Sequence, residues 1–130
     1  RELFRIDAPE GTHILFSKDG DQLALKVINI SIGGSLAAWV QNRTDAPDNS
    51  PLAVAQRLED VALVFPAEIL QRPIQIEALE IKRIEKKSQQ SRYELGLEFR
   101  KISNSEMRRL TDLIYELQRQ YLRHRLPLDL

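Results

Sequence analysis

Short runs rich in apolar and β-branched residues, set between polar turn segments, recur along the first two thirds of this 130-residue chain, and a helical period takes over near its end. Thr12 to Ser17, Leu23 to Ser31 and Ser35 to Val40 are short runs rich in apolar and β-branched residues. Asp19-Gly20-Asp21 and the pair Gly33-Gly34 separate them, both turn signals. Three more strands are predicted over Glu59 to Phe65, Ile74 to Glu85 and Arg92 to Lys101. The last alternates best, with Tyr93, Leu95, Leu97 and Phe99 on one face and Glu94, Gly96, Glu98 and Arg100 on the other. In the run before it, Ile74 and Ile76 share one parity while Leu79 and Ile81 share the other. A β-bulge near Ala78 reconciles the two sets, and bulges suit the curvature of a small barrel.

The links are read from turn chemistry. Asn42 to Pro51, with its Asn, Asp, Ser and two prolines, reads as an irregular loop, and Leu52 to Arg57 as a helical turn. Lys86 to Ser91 is polar and reads as a hairpin loop. Ser103-Asn104-Ser105-Glu106 then matches a capping box, in which hydroxyl and carboxylate each satisfy a free backbone N–H. Met107, Leu110, Ile114, Leu117 and Tyr121 form one apolar stripe on the helix that follows, and Pro127 ends it. Many strands and then one helix predict a mainly β fold, a small antiparallel barrel with a terminal helix packed on it.

Composition bounds the chemistry. The length suits one domain with a real core. Nineteen basic and nineteen acidic residues cancel, so no global field draws the chain onto DNA, RNA or an anionic membrane. Any basic site must be local. Without cysteine there is no disulfide or thiolate chemistry, which is compatible with a reducing cytoplasm. No apolar run is long enough to span a bilayer. Beginning at Arg1 rather than Met, the sequence is expected to be a piece of a longer protein.

Two strings supply a local site. Arg1-Glu2-Leu3-Phe4-Arg5 reads R-x-x-x-R, and Asn29-Ile30-Ser31-Ile32-Gly33-Gly34 reads N-x-S-x-x-G. Each guanidinium can donate two parallel hydrogen bonds to a phosphate or to the O6/N7 edge of guanine. In an extended segment Arg1 and Arg5 share a side and stand roughly 13 Å apart, at about 3.3 Å per residue, a span suited to two parts of one large ligand. Asn29 and Ser31, two apart, are expected on one strand face. Gly33 and Gly34 would permit a tight turn and close approach of a ligand to the backbone. The set suits an anionic, guanine-containing small molecule.

With these motifs in order, and Leu95-Gly96-Leu97-Glu98-Phe99 leading into a helix, nearly the whole chain resembles the PilZ domain, a bacterial receptor for cyclic di-GMP. Arg-Glu-Leu-Phe-Arg-Ile-Asp-Ala-Pro, the Ser-Ile-Gly-Gly turn and the Leu-Gln-Arg helix ending look most like the PilZ half of flagellar-brake proteins, which carry a second, N-terminal β-domain. The resemblance implies a six-stranded antiparallel Greek-key β-barrel with a C-terminal α-helix. It divides residues 1–130 into a flexible arginine arm (1–11), the barrel (12–101) and the helix (103–125). Arg1 and Arg5 match the arginine pair that closes over the ligand, Asn29 the position that reads guanine's donor edge, and Ser31 the motif serine. Gly34 matches the last glycine, and Gly33 an additional one. Asn29 departs from the variant with Asp, offering one neutral acceptor in place of two charged oxygens. The implied protein is a cytoplasmic, non-enzymatic receptor without a cofactor. Its implied output is regulation of flagellar motility or biofilm formation through a partner such as the flagellar motor, with recruitment to the basal body.

Other signals favour structure over chemistry. His13 and His124 have no paired spacing and no cysteine beside them, which argues against a metal site. Glu94 and Glu98 read as a solvated strand face, with no nucleophile beside them. Trp39 reads as a core residue, and Arg119, Arg123 and Arg125 complement the negative end of the helix. Two rivals stand beside the receptor reading. One is a PilZ-like protein-interaction scaffold that binds no nucleotide. The other is an oligonucleotide-binding barrel, which would need interleaved aromatics and a basic groove.

Overall fold

The computed structural model of the chain describes residues 5–40, 52–87 and 92–125. Among these described residues seven strands precede one helix: β1 (Ile6–Asp7), β2 (His13–Lys18), β3 (Asp21–Ile30), β4 (Gly34–Val40), β5 (Arg57–Val64), β6 (Ile74–Lys87), β7 (Arg92–Lys101) and α1 (Asn104–Arg125). Every pairing is antiparallel. The order β3-β2-β5-β6-β7-β4 returns to β3 through the β3–β4 pairing, so the six long strands form a closed barrel. β2, β3 and β4 run as a meander, and β5 comes back beside β2. That is the Greek-key order the resemblance implies.

Inward positions of these strands fill the barrel. Ile14, Leu25, Ile30, Val61, Leu63, Ile74, Ile76, Leu79, Ile81 and Leu95 are fully buried. Alternation places Tyr93, Leu95 and Leu97 of β7 inside, with Phe99 and Trp39 partly buried against the core. Asp19 and Gly20 both have positive φ, 55° and 85°, the backbone a two-residue hairpin turn between β2 and β3 requires.

Pairing between β6 and β7 shifts register between Ala78 and Leu79, where the change of apolar parity predicts it. A second shift lies between Ile81 and Arg83, leaving Lys82 without an opposite residue. A third lies in β3, between Val27 and Asn29. Leu25 and Val27 face inward, so simple alternation would send residue 29 inward as well. The extra residue, Ile28, resets the parity: Ile30 is buried, and Asn29 turns to the outer surface.

Two expectations are corrected. Ile6 and Asp7, within the stretch read as a flexible arm, pair with Ile30 and Asn29 of β3. Burial of Ile6 in the core (8% exposed) gives this short strand its anchor. Because β4 lines the other edge of β3 at Asn29 and Ile30, β1 lies on the same edge as β2. Leu52 to Arg57 is not a helical turn: it bends at Val54-Ala55 and runs into β5 at Arg57. Ala55 N–H donates to Ile81 O at 2.7 Å, and Ile81 N–H donates to Gln56 O at 2.9 Å. Val54 is exposed, so the segment has no apolar stripe to reward a helix, and it takes hydrogen bonds from β6 instead. The loop expected over Asn42 to Pro51 lies outside the described residues. Of the hairpin loop expected over Lys86 to Ser91, Lys86 and Lys87 belong instead to β6, paired with Tyr93 and Arg92, and residues 88–91 lie outside the described residues.

The helix packs on β6 and β1 through Leu110 and Ile114, both buried. Ser103 Oγ accepts the Glu106 N–H at 3.2 Å, one half of the predicted capping box. The other half is diverted. Glu106 Oε1 accepts the backbone N–H of Gln75 on β6 at 2.7 Å, and both its oxygens accept from Arg109 Nη1, at 3.0 and 3.2 Å. Arg109 in turn donates to the carbonyls of Arg72 (2.6 Å) and Pro73 (3.1 Å). The helix start is thereby clamped to the barrel. Among the described residues no helix is long and apolar enough to cross a membrane.

Candidate functional site

β1, the end of β3 and the β3–β4 turn bring the two sequence motifs together. Arg5 Nη1 donates to Asn29 Oδ1 at 2.9 Å, joining residues 24 positions apart in sequence. The same Asn29 oxygen accepts the backbone N–H of Leu36 at 3.3 Å, which fixes the carboxamide against β4. Asn29 O accepts from Ser35 Oγ at 2.9 Å. Asn29 is therefore fixed on the outer face of the barrel through both its side chain and its backbone carbonyl, with an exposed guanidinium laid on its carboxamide. Arg1 lies outside the described residues.

Ser31 and the glycines sit differently. Ser31 is 1% exposed and lies just beyond the end of β3. Its hydroxyl donates to Gly34 O at 3.4 Å and accepts the Gly33 N–H at 3.3 Å, while its own N–H donates to Gly34 O at 2.8 Å. The hydroxyl thus holds the turn closed. The expected common face of Asn29 and Ser31 is absent, because the strand has ended between them. Gly33 O accepts the Phe99 N–H at 2.9 Å, tying the turn to β7. Gly34 has no positive φ. A Cβ there would lie 2.1 Å from Leu97 O, so close strand packing is what demands glycine. The structure thus unites Arg5 and Asn29 directly and sets Ser31, Gly33 and Gly34 beneath them as the turn.

The surrounding charge is uneven. Asp7 is paired with Asn29 in register and exposed. Glu98, opposite Gly34, is engaged by Arg100 at 3.1 Å and Lys82 at 3.6 Å, so its charge is offset. From Asn29 the outward row crosses to Leu36 on β4, Gly96 on β7 and Arg83 on β6. Reading the sequence alone missed this row beyond Asn29. Its one visible signal was a glycine on the outer face of an otherwise regular strand. Among the described residues no group of three His, Cys, Asp or Glu side chains could hold a metal ion.

Comparison with known proteins places this barrel. No family model matches the chain, and no curated protein matches it in sequence. Solved structures do match. The PilZ domain of YcgR from Escherichia coli, with c-di-GMP, superimposes with a TM-score of 0.67 at 18% identity, covering 93% of both chains. This chain has the PilZ fold.

The same PilZ fold recurs in longer proteins. The YcgR–c-di-GMP complex of Escherichia coli matches with a TM-score of 0.71 at 18% identity, over 95% of this chain and 48% of that one. The MrkH–c-di-GMP complex of K. pneumonia matches with a TM-score of 0.74 at 17% identity, over 95% and 54%. The Bacillus subtilis inhibitor of motility, MotI/DgrA, matches with a TM-score of 0.65 at 21% identity, over 93% and 51%. The chain spans about half the length of these proteins.

Proposed function

We propose that this chain is a cyclic di-GMP receptor domain, a binding module rather than an enzyme. Its ligand site comprises Arg1, Arg5, Asn29, Ser31, Gly33 and Gly34. The observation that carries the reading is the contact between Arg5 and Asn29, which joins both motifs at one point on a PilZ-fold barrel. Structures of this fold with c-di-GMP, YcgR and MrkH, support the choice of ligand.

The Asn29 side-chain carbonyl is engaged by a guanidinium and a backbone N–H. A guanine edge that takes this acceptor must displace Arg5, freeing the cation for a phosphate or for guanine O6/N7. Ligand arrival thus exchanges one charge-assisted hydrogen bond for another and moves the segment that leads into β1. Movement of that segment would reorient whatever is joined to it. The output is regulation of flagellar motility or biofilm formation in the cytoplasm, through a partner such as the flagellar motor at the basal body. The motility inhibitor of Bacillus subtilis, with the same fold, supports this direction.

Calorimetric titration with cyclic di-GMP tests the proposal. Arg5→Ala is expected to cost about 1–3 kcal/mol of binding, the worth of one bidentate arginine contact. Ser31→Ala is expected to weaken binding by loosening the turn. A flat titration of the unsubstituted protein would refute the receptor role, and unchanged affinity in both variants would refute the site.

A further inference from the structure

The outward row that starts at Asn29 ends at a second arginine. Asn29 pairs with Leu36, Leu36 with Gly96, and Gly96 with Arg83. Directly opposed residues of antiparallel strands share a face, so all four lie on the outer surface. Arg83 does not point straight into solvent. A Cβ built on Gly96 would lie 3.1 Å from Arg83 Cγ and 3.2 Å from Arg83 Nε. The arginine therefore lies back across the glycine, one strand nearer to Asn29 than its own Cα. Two strand spacings separate Asn29 from Gly96, about 10 Å at about 4.8 Å each. Half-buried Leu36 lies between them as an apolar floor.

Most neighbouring cations are committed to carboxylates. Lys82 pairs with Glu80 and Glu98, Arg100 with Glu98 and Glu80, and Arg92 with Glu94 at 2.6 Å. Among the described residues Arg83 pairs with Glu85 alone, at 3.6 Å, with both side chains more than half exposed (62% and 54%). An ion pair of that kind holds its arginine weakly. The bulge at Lys82 adds to this, because it separates Arg83 from the ion-pair network of Glu80 and Glu98.

We infer that Arg83 is a further ligand-binding residue, taking the distal nucleotide of a two-phosphate purine ligand whose near half is held at Arg5 and Asn29. This rests on the receptor reading above and extends its site across β4 and β7 to β6. Two guanidinium groups bracket an apolar floor on which a base can lie. Gly96 has a stated part in this: it clears the space in which Arg83 reclines.

The test is titration with cyclic di-GMP of the unsubstituted protein, Arg83→Ala, Gly96→Ala and Glu85→Ala, with thermal melting of each. Arg83→Ala is expected to bind about tenfold or more weakly with its melting point unchanged. Gly96→Ala, which displaces the arginine, is expected to weaken binding in the same direction. Glu85→Ala removes the ion pair and keeps the arginine, so its affinity is expected to hold or rise. Binding by Arg83→Ala within twofold of the unsubstituted protein overturns this inference alone. Absence of binding by the unsubstituted protein overturns the receptor reading, and this inference with it.

Discussion

A methyl group at position 34 would sit 2.1 Å from the carbonyl oxygen of Leu97, well inside any allowed contact. Backbone on one strand would have to move from backbone on another, which no rotamer change can relieve. Gly34→Ala is therefore expected to cost about 3 kcal/mol, the upper part of the range for overpacked sites, read from urea denaturation. Position 55 presents the opposite case. Ala55 has φ 73°, a left-handed conformation that an alanine Cβ disfavours, and its N–H is held by Ile81 O. Ala55→Gly is expected to raise stability by about 0.5 kcal/mol, the relief of strain exceeding the added entropy of the unfolded chain. The same denaturation series checks it. Turn-forming glycines were legible in the sequence, but the reason for Gly34 was not, since Leu97 is a neighbour only in space.

At the scale of the element, the start of the helix carries the best-defined electrostatics. The Gln75 N–H is the main influence holding the Glu106 carboxyl below its ordinary value of 4.5, with Arg109 and Arg72 adding to it against the opposing effect of burial. A folded-state pKa below the unfolded one means that the unfolded chain binds the proton more readily. The clamp thus contributes fully above about pH 4.5, and its contribution is lost as pH falls through the depressed value. Glu106→Gln keeps an oxygen acceptor for Gln75 but no charge. Its stability is expected to be lower at neutral pH and to change less with acidification below pH 4.5, as chemical denaturation at a series of pH values would show. The capping-box pattern Ser103-x-x-Glu106 correctly marked the helix start. It did not reveal where the carboxylate goes, because Gln75, Arg72 and Arg109 offer better partners once the barrel is built.

For the whole molecule, ligand binding and folding stability are linked. A ligand that binds only the folded state stabilises it, by about 2.7 kcal/mol at a hundred times its dissociation constant. Cyclic di-GMP is expected to raise the melting temperature of the unsubstituted protein in scanning calorimetry. The rise should be smaller for Arg5→Ala at the same ligand concentration. An oligonucleotide-binding barrel would respond to single-stranded nucleic acid instead, with affinity falling steeply as salt rises.

What the sequence determined by itself was whatever depends on neighbours along the chain. Apolar, β-branched runs between turn signals marked the six long strands, a break in parity marked the bulge at Ala78, and a three- and four-residue period marked the helix. Even the two motifs were readable, because each is a string of adjacent residues. Tertiary structure alone decided which strings meet and which way they face. The contact of Arg5 with Asn29 needs β1 to settle beside β3, driven by burial of Ile6. The outward turn of Asn29 needs Ile28 to stand without an opposite residue on β4, and the burial of Ser31 needs the strand to end at Ile30. Register and closure arise from burying apolar faces together, a property of the assembled barrel that no local window contains.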